Sequence, residues 1–97
     1  MLKRLRSLLT PSTCEHVPGQ HAPARADACE ECGSQFNLRV CSTCGHVGCC
    51  DSQAGHARAH YHASRHPVMR AKTSIGQGFI WCYPDNRYVA DRDSEAA

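Results

Sequence analysis

The sequence predicts a small α+β domain with a short antiparallel sheet and one main helix, and three observations lead there. Phe36, Leu38 and Val40 alternate with polar neighbours, the period of a half-buried strand. Ala54 to Ala63 is rich in alanine and sets His56 and His60 four residues apart, on one side of a helix. Cys29-x-x-Cys32 and Cys41-x-x-Cys44, followed by Cys49, His56, His60 and His66, place eight potential metal ligands within thirty-eight residues. A structural zinc takes four thiolate or imidazole ligands, so eight suffice for two tetrahedral sites.

Composition explains why metal is needed. A chain of 97 residues makes one domain at most. After Thr13 its branched aliphatics are only Val17, Leu38, Val40, Val47, Val68, Ile75, Ile80 and Val89, joined by a few aromatics and Met69. At about 1.5–3 kcal/mol per buried large side chain, so thin a set scarcely offsets the entropy of ordering the chain. A structural zinc contributes of order 10 kcal/mol, so binding and folding are expected to be one event. Cysteine pairs followed by regularly spaced histidines, with no secretory leader read before them, favour metal over disulfides and a cytoplasmic setting. The formal charge of +2 is too small to mark a nucleic-acid binder. No run approaches the roughly eighteen apolar residues of a membrane span.

In chain order, residues 1–13 form a basic amphipathic segment with Lys3, Arg4 and Arg6 beside Leu2, Leu5, Leu8 and Leu9, stopped by Pro11. Pro18 to Ala28 reads as a loop, and residues 14–90 as the metal-holding domain. Phe36 to Cys41 and His46 to Cys50 are expected as two paired strands around the second Cys-x-x-Cys. Ser52 is a helix N-cap candidate for Ala54 to Ala63, and Pro67 breaks the helix. Phe79 to Tyr83, the turn Pro84-Asp85-Asn86, and Tyr88-Val89 read as a hairpin. The polar residues 91–97 are expected to be disordered.

Cys14-x-His16 and Cys82-x-x-Asp85 are left over and offer four more ligands. With them the chain resembles the UBP-type, ubiquitin-binding zinc finger of deubiquitinating enzymes and a histone deacetylase. In that family a Cys-x-His and two Cys-x-x-Cys pairs precede a Cys five residues on, then His at seven, eleven and seventeen beyond it. Cys49, His56, His60 and His66 stand at those intervals. The resemblance implies interleaved zinc sites: Cys29, Cys32, Cys49 and His56 on one metal, and Cys41, Cys44, His60 and His66 on a second. Spacing alone does not choose this over sequential pairing. It further implies a third zinc on Cys14, His16, Cys82 and Asp85, with an oxygen in place of the family's last sulfur. Cys50, His21, His46 and His62 are left without a ligand role, and Cys50 is read as a small buried apolar side chain or an alternative sulfur.

Four protein ligands per zinc leave no open position for water, so no enzyme is expected. In the resembled family the module binds the free C-terminal Gly-Gly of ubiquitin in an aromatic pocket. Trp81, Tyr83 and Tyr88 fall where that family has pocket aromatics. Two positions depart. Asp51 stands where ubiquitin binders carry an Arg, and Arg39 stands where they carry a pocket Trp. Arg39 is expected to supply a guanidinium from the opposite wall, and Arg87 lies near Tyr88 in sequence, so anion binding is expected to be rearranged. The alanine- and arginine-rich composition fits a source without ubiquitin, in which case the partner is another protein's tail. The expectation is a monomeric module binding the C-terminal tail of a protein, ubiquitin-like or other, with neither nucleic acid nor membrane as partner. The alternative is a structural, redox or metal-sensing zinc protein in which Trp81 and Tyr83 are core.

Overall fold

The computed structural model describes residues 13–73 and 78–91. The amphipathic segment (bar Thr13), Ser74 to Gln77 and the polar tail (bar Asp91) lie outside them. Five strands and one helix follow in the order β1 (Leu38–Cys41), β2 (Val47–Cys49), α1 (His56–Ser64), β3 (Val68–Ala71), β4 (Ile80–Cys82) and β5 (Arg87–Val89). The strands make one antiparallel sheet in the order β2-β1-β3-β4-β5.

Register assigns each side chain to a face, because neighbouring residues on a strand point oppositely. Val47, Val40, Arg70, Ile80 and Val89 form a row across all five strands. This face is the core, in two clusters. Leu38, Val40, Val47 and Cys49 pack with Cys29, and Val68, Ile80, Cys82 and Val89 pack with Val17. The loop before Cys29 is therefore a lid on the core, bringing Val17 to one cluster and Ala24 and Ala26 to the other. Arg70, between the clusters, ties that lid down by donating from Nη2 to the Ala22 carbonyl at 2.9 Å.

The opposite face carries the row Cys41, Met69, Trp81 and Tyr88, with Gly48, Arg39 and Ala71 on a second row. The helix α1 crosses this face at Gly48. A Cβ there would stand 2.6 Å from the Ala57 backbone nitrogen, so only glycine admits the approach. The helix covers the β2 and β1 side, with Met69 buried at its edge, and leaves Trp81 and Tyr88 open to solvent.

Three expectations are corrected. Phe36 is not a strand residue: Asn37 adopts a left-handed φ of 50°, the extended chain starts only at Leu38, and Phe36 is 75% exposed. Ser52 does not cap the helix. Its hydroxyl lies 2.9 Å from Cys50 Sγ, and α1 starts at His56 after Gly55 in a left-handed conformation with no side-chain cap. At the other end the Arg65 N–H closes on the Tyr61 carbonyl, and Pro67 follows. The strand β3, where only a helix stop was read, is the centre of the sheet, joining β1 to β4. The expected hairpin is present as β4 and β5, turning at Tyr83–Asn86.

Candidate metal centres

Each Cys-x-x-Cys is a tight turn closed by the following glycine. Gly33 N–H donates to the Cys29 carbonyl at 2.8 Å and Gly45 N–H to the Cys41 carbonyl at 2.9 Å. Both glycines have positive φ, and a Cβ at Gly45 would run into the Pro23 carbonyl. The first turn sits in the loop before β1, the second between β1 and β2. Register then brings Cys49, at the end of β2, near the first pair, while α1 hands His56 to that group and His60 to the second.

Three groups able to hold a metal ion result: Cys29, Cys32, Cys49 and His56; Cys41, Cys44, His60 and His66; and Cys14, His16, Cys82 and Asp85, with the donor atoms of each within 4.8 Å of one another. A tetrahedral zinc with Zn–S near 2.3 Å and Zn–N near 2.0–2.1 Å places sulfur and nitrogen about 3.6 Å apart and two sulfurs about 3.8 Å apart. In the first group His56 Nδ1 lies 3.4 Å from Cys29 Sγ and 3.3 Å from Cys49 Sγ, and Cys32 Sγ lies 3.9 Å from Cys49 Sγ. In the second, Cys41 Sγ is 3.5 Å from His66 Nδ1 and Cys44 Sγ is 3.4 Å from His60 Nε2. These spacings fit zinc. The donors are ordered so that the two groups interleave along the chain.

In the third group the N-terminal loop meets the hairpin. His16 Nδ1 lies 3.8 Å from Cys14 Sγ, 3.4 Å from Cys82 Sγ and 3.6 Å from Asp85 Oδ1. The other carboxylate oxygen of Asp85 faces the Arg87 guanidinium at 3.6 Å, which turns Oδ1 toward the group. Burial pushes the Cys82 thiol up to about 12, with the neighbouring Cys14 adding to it. A metal there displaces a firmly held proton. In the first group, burial also raises the Cys49 thiol, but amide donors from His56 and Ala54 with the Cys32 and His56 side chains bring it down to about 6.

Residues that sequence reading left idle support these centres. The His46 ring stacks on His60 at 4.0 Å and is held by Glu31 at 2.8 Å, fixing the plane of a ligand ring. Glu30 takes a fork of hydrogen bonds from Arg25 and accepts the Val47 N–H at 2.9 Å, fastening the first turn to β2. The Arg25 hydrogen bond holds the Glu30 carboxyl below its usual range against the opposing pull of burial. His21 Nδ1 lies 2.7 Å from Ser42 Oγ. His62 is exposed and outside all three groups.

On the uncovered face a cavity of about 330 Å³ opens beside the helix. Trp81 and Tyr88 are in edge-to-face contact at 4.8 Å, Phe79 abuts Tyr88 at 5.2 Å, and Met69 lies beside Trp81 in register. Tyr83, stacked on Tyr61 at 4.7 Å, and Arg58 from α1 complete the walls. Arg39 lies over the Phe79 ring at 4.6 Å. Trp81, Tyr83, Tyr88 and Arg39 thus line one cavity. Arg87 does not: it sits on the other face in register with Cys82 and bonds Asp85 and the Thr13 carbonyl. Met69, Phe79 and Arg58 were missed. Phe79 alternates with Trp81 on the hairpin and was legible; Met69 requires β3 and Arg58 requires the helix position. Cys50 lines the cavity floor as a small buried side chain, and hydrogen bonds from Gln53 and Ser52 lower its thiol to about 7.

The chain matches the family described as Zn-finger in ubiquitin-hydrolases and other protein over residues 29–94. It is similar to human BRCA1-associated protein, 34% identical over 67 residues that cover 69% of this chain and 11% of that one. It is also similar to ubiquitin carboxyl-terminal hydrolase 14 of Schizosaccharomyces pombe, 38% identical over 87 residues covering 74% of this chain and 11% of that one. Among solved structures, protein RPA1320 of Rhodopseudomonas palustris superposes with a TM-score of 0.71 at 40% identity, covering 87% of each chain. The chain thus spans 11% of the length of those two curated relatives, and a domain of the matched family is a binding module rather than a catalytic one. Matched over most of its length, with three donor groups of zinc-compatible geometry, the chain belongs to the UBP-type zinc-finger family and binds zinc.

Proposed function

We propose that this chain is a non-catalytic protein-interaction module whose cavity takes the free C-terminal tail of a protein partner. In this reading Cys29, Cys32, Cys49 and His56 hold one zinc, Cys41, Cys44, His60 and His66 a second, and Cys14, His16, Cys82 and Asp85 a third. Four protein donors close each centre, so none offers water a place to be activated. The observation that carries the tail reading is the cavity itself: an aromatic row from Trp81 to Tyr88 with the Arg39 guanidinium beside it. Flat rings pack well against a slim glycine backbone, and a guanidinium pairs with a terminal carboxylate through two parallel hydrogen bonds. A protein in which Trp81 and Tyr83 were only core would bury them, yet both are only half-buried, beside Tyr88 at 53% and Phe79 at 36% exposure. The ubiquitin-linked names of relatives such as the S. pombe hydrolase support a protein tail of the Gly-Gly kind.

Trp81 is the sole tryptophan, so its fluorescence reports on this cavity alone. A short peptide ending in Gly-Gly, as free acid and as C-terminal amide, is titrated into the zinc-loaded chain. The free acid is expected to shift the Trp81 emission saturably, and the amide to bind about tenfold more weakly, the loss of one charge-assisted contact. Equal binding of the two forms, or silence with both, refutes the tail reading and favours the structural alternative.

A further inference from the structure

Three charged side chains line the cavity: Arg39, Asp51 and Arg58. They are not equivalent. Asp51, in the turn after β2, grips Arg58 of α1 with an Oδ2 to Nη2 distance of 2.6 Å. Both side chains are about half exposed, 55% and 54%, so the pair forms the cavity's solvent-side lip. Arg39 rises from β1, lies over the Phe79 ring and donates to the Leu38 carbonyl at 3.3 Å. Among the described residues it has no carboxylate within salt-bridge distance. One cation of the cavity is thus occupied and the other is open.

We propose that Asp51 is a specificity-determining residue that competes with the ligand: by holding Arg58 it withholds one of the cavity's two guanidiniums from an incoming carboxylate, leaves Arg39 as the anchor, and disfavours tails with acidic residues near their end. This rests on the tail-binding reading. A tail carboxylate entering beside the aromatic row meets Arg39 without a rival, but it reaches Arg58 only by displacing a carboxylate already seated there. A carboxylate side chain upstream in the tail would also face Asp51 across the lip, a like-charge approach with Arg58 already neutralised. The half-buried Tyr83 hydroxyl lies near all three groups: after burial, Asp51 raises its pKa while Arg58 and Arg39 lower it, in keeping with their shared place along the cavity. Asp51 therefore trades affinity for discrimination, repulsive as well as attractive.

The test compares wild type, Asp51→Asn, Arg58→Gln and the double variant, each checked for unchanged zinc content, with the Gly-Gly peptide as free acid and as amide. Asp51→Asn frees Arg58 and is expected to tighten the free acid about three- to tenfold while leaving the amide unchanged, the size of an exposed charge-assisted contact. Arg58→Gln alone is expected to stay within about twofold of wild type, and the double variant to lose the gain. A second pair of free-acid peptides, with Lys or Glu immediately before the Gly-Gly, is expected to show a preference for Lys that Asp51→Asn narrows. An Asp51→Asn protein that binds the free acid no better than wild type, or gains equally for the amide, overturns the inference. Failure of wild type to distinguish acid from amide instead overturns the tail reading on which it stands, so the two failures are separable.

Discussion

Gly48 is the position at which one methyl group should disturb fold and metal together. It lies in the middle of β2 under the first turn of α1, and a Cβ there would meet the Ala57 nitrogen at 2.6 Å, the Ala57 Cα at 2.8 Å and the His56 carbonyl carbon at 3.0 Å. These are backbone atoms, which cannot rotate aside. To restore an ordinary contact of about 3.4 Å the start of α1 must retreat by roughly 0.8 Å. His56 is the first residue of that helix, and its Nδ1 sits 3.3 Å from Cys49 Sγ, itself next to Gly48. Zinc distances tolerate about ±0.2 Å, so a shift of that size takes His56 out of bonding range or forces the helix to bend. Overpacking alone costs about 1–3 kcal/mol, equivalent to roughly fivefold to 150-fold in an equilibrium constant. For Gly48→Ala, competition against a chromophoric zinc chelator should therefore release one equivalent at chelator concentrations lower by at least about fivefold, and native mass spectrometry should show species with one zinc fewer. An alanine variant with the same zinc count and the same release profile as wild type would refute the steric chain from β2 to His56.

Asp85→Ala removes the only oxygen ligand of the third donor group and is expected to lower the zinc count by one, read by native mass spectrometry. An unchanged count removes Asp85 from the ligand set. Acid should empty that same centre first. Because burial lifts the Cys82 thiol to about 12, the thiol holds its proton throughout the physiological range, and metal must displace it. Affinity falls about tenfold per displaced proton for each pH unit lowered, and the other centres are subject to this too through the raised Cys32 and Cys41 thiols; the third is set apart because a carboxylate replaces one of its sulfurs. Stepwise acidification from about pH 8 to about pH 6 with a zinc indicator should release one equivalent ahead of the rest. That early step should be missing from Asp85→Ala, and simultaneous release of all zinc in wild type contradicts the ordering.

Much of the fold was legible where a local pattern carried it. The two glycine-closed knuckles, the strand pair around Cys41 and Cys44, the helix bearing His56 and His60, and the hairpin around Cys82 each have a signal shorter than about fifteen residues. What escaped was set by contacts distant in sequence. Val68–Ala71 offers only two large apolar residues beside an arginine and an alanine, so β3 is invisible until β1 and β4 supply partners on both sides. Pro18 to Ala28 reads as a loop, yet its Ala24 and Ala26 pack on the core and Val17, just before it, is fully buried, because the sheet needs a cover on that face. Ser52 looked like a cap, but the chain between Cys50 and Gly55 folds into turns that spend its hydroxyl on Cys50. Arg87 looked like part of the anion site because it neighbours Tyr88, and strand alternation puts it on the opposite face.

The sequence by itself determined the kinds of donor and their spacing within each knuckle and on the helix, since a tight turn or a helical period aims neighbouring side chains at one point. It also carried the expectation that a chain with so few large apolar residues folds with its metal. Only the tertiary structure decided which pairs converge, that the hairpin bearing Cys82 turns Trp81 to the other face, and that Arg39, Asp51 and Arg58 share one cavity. The physical reason is that these groupings depend on strand register and on the close approach of α1 to β2 at Gly48, and neither is encoded in any short stretch of chain.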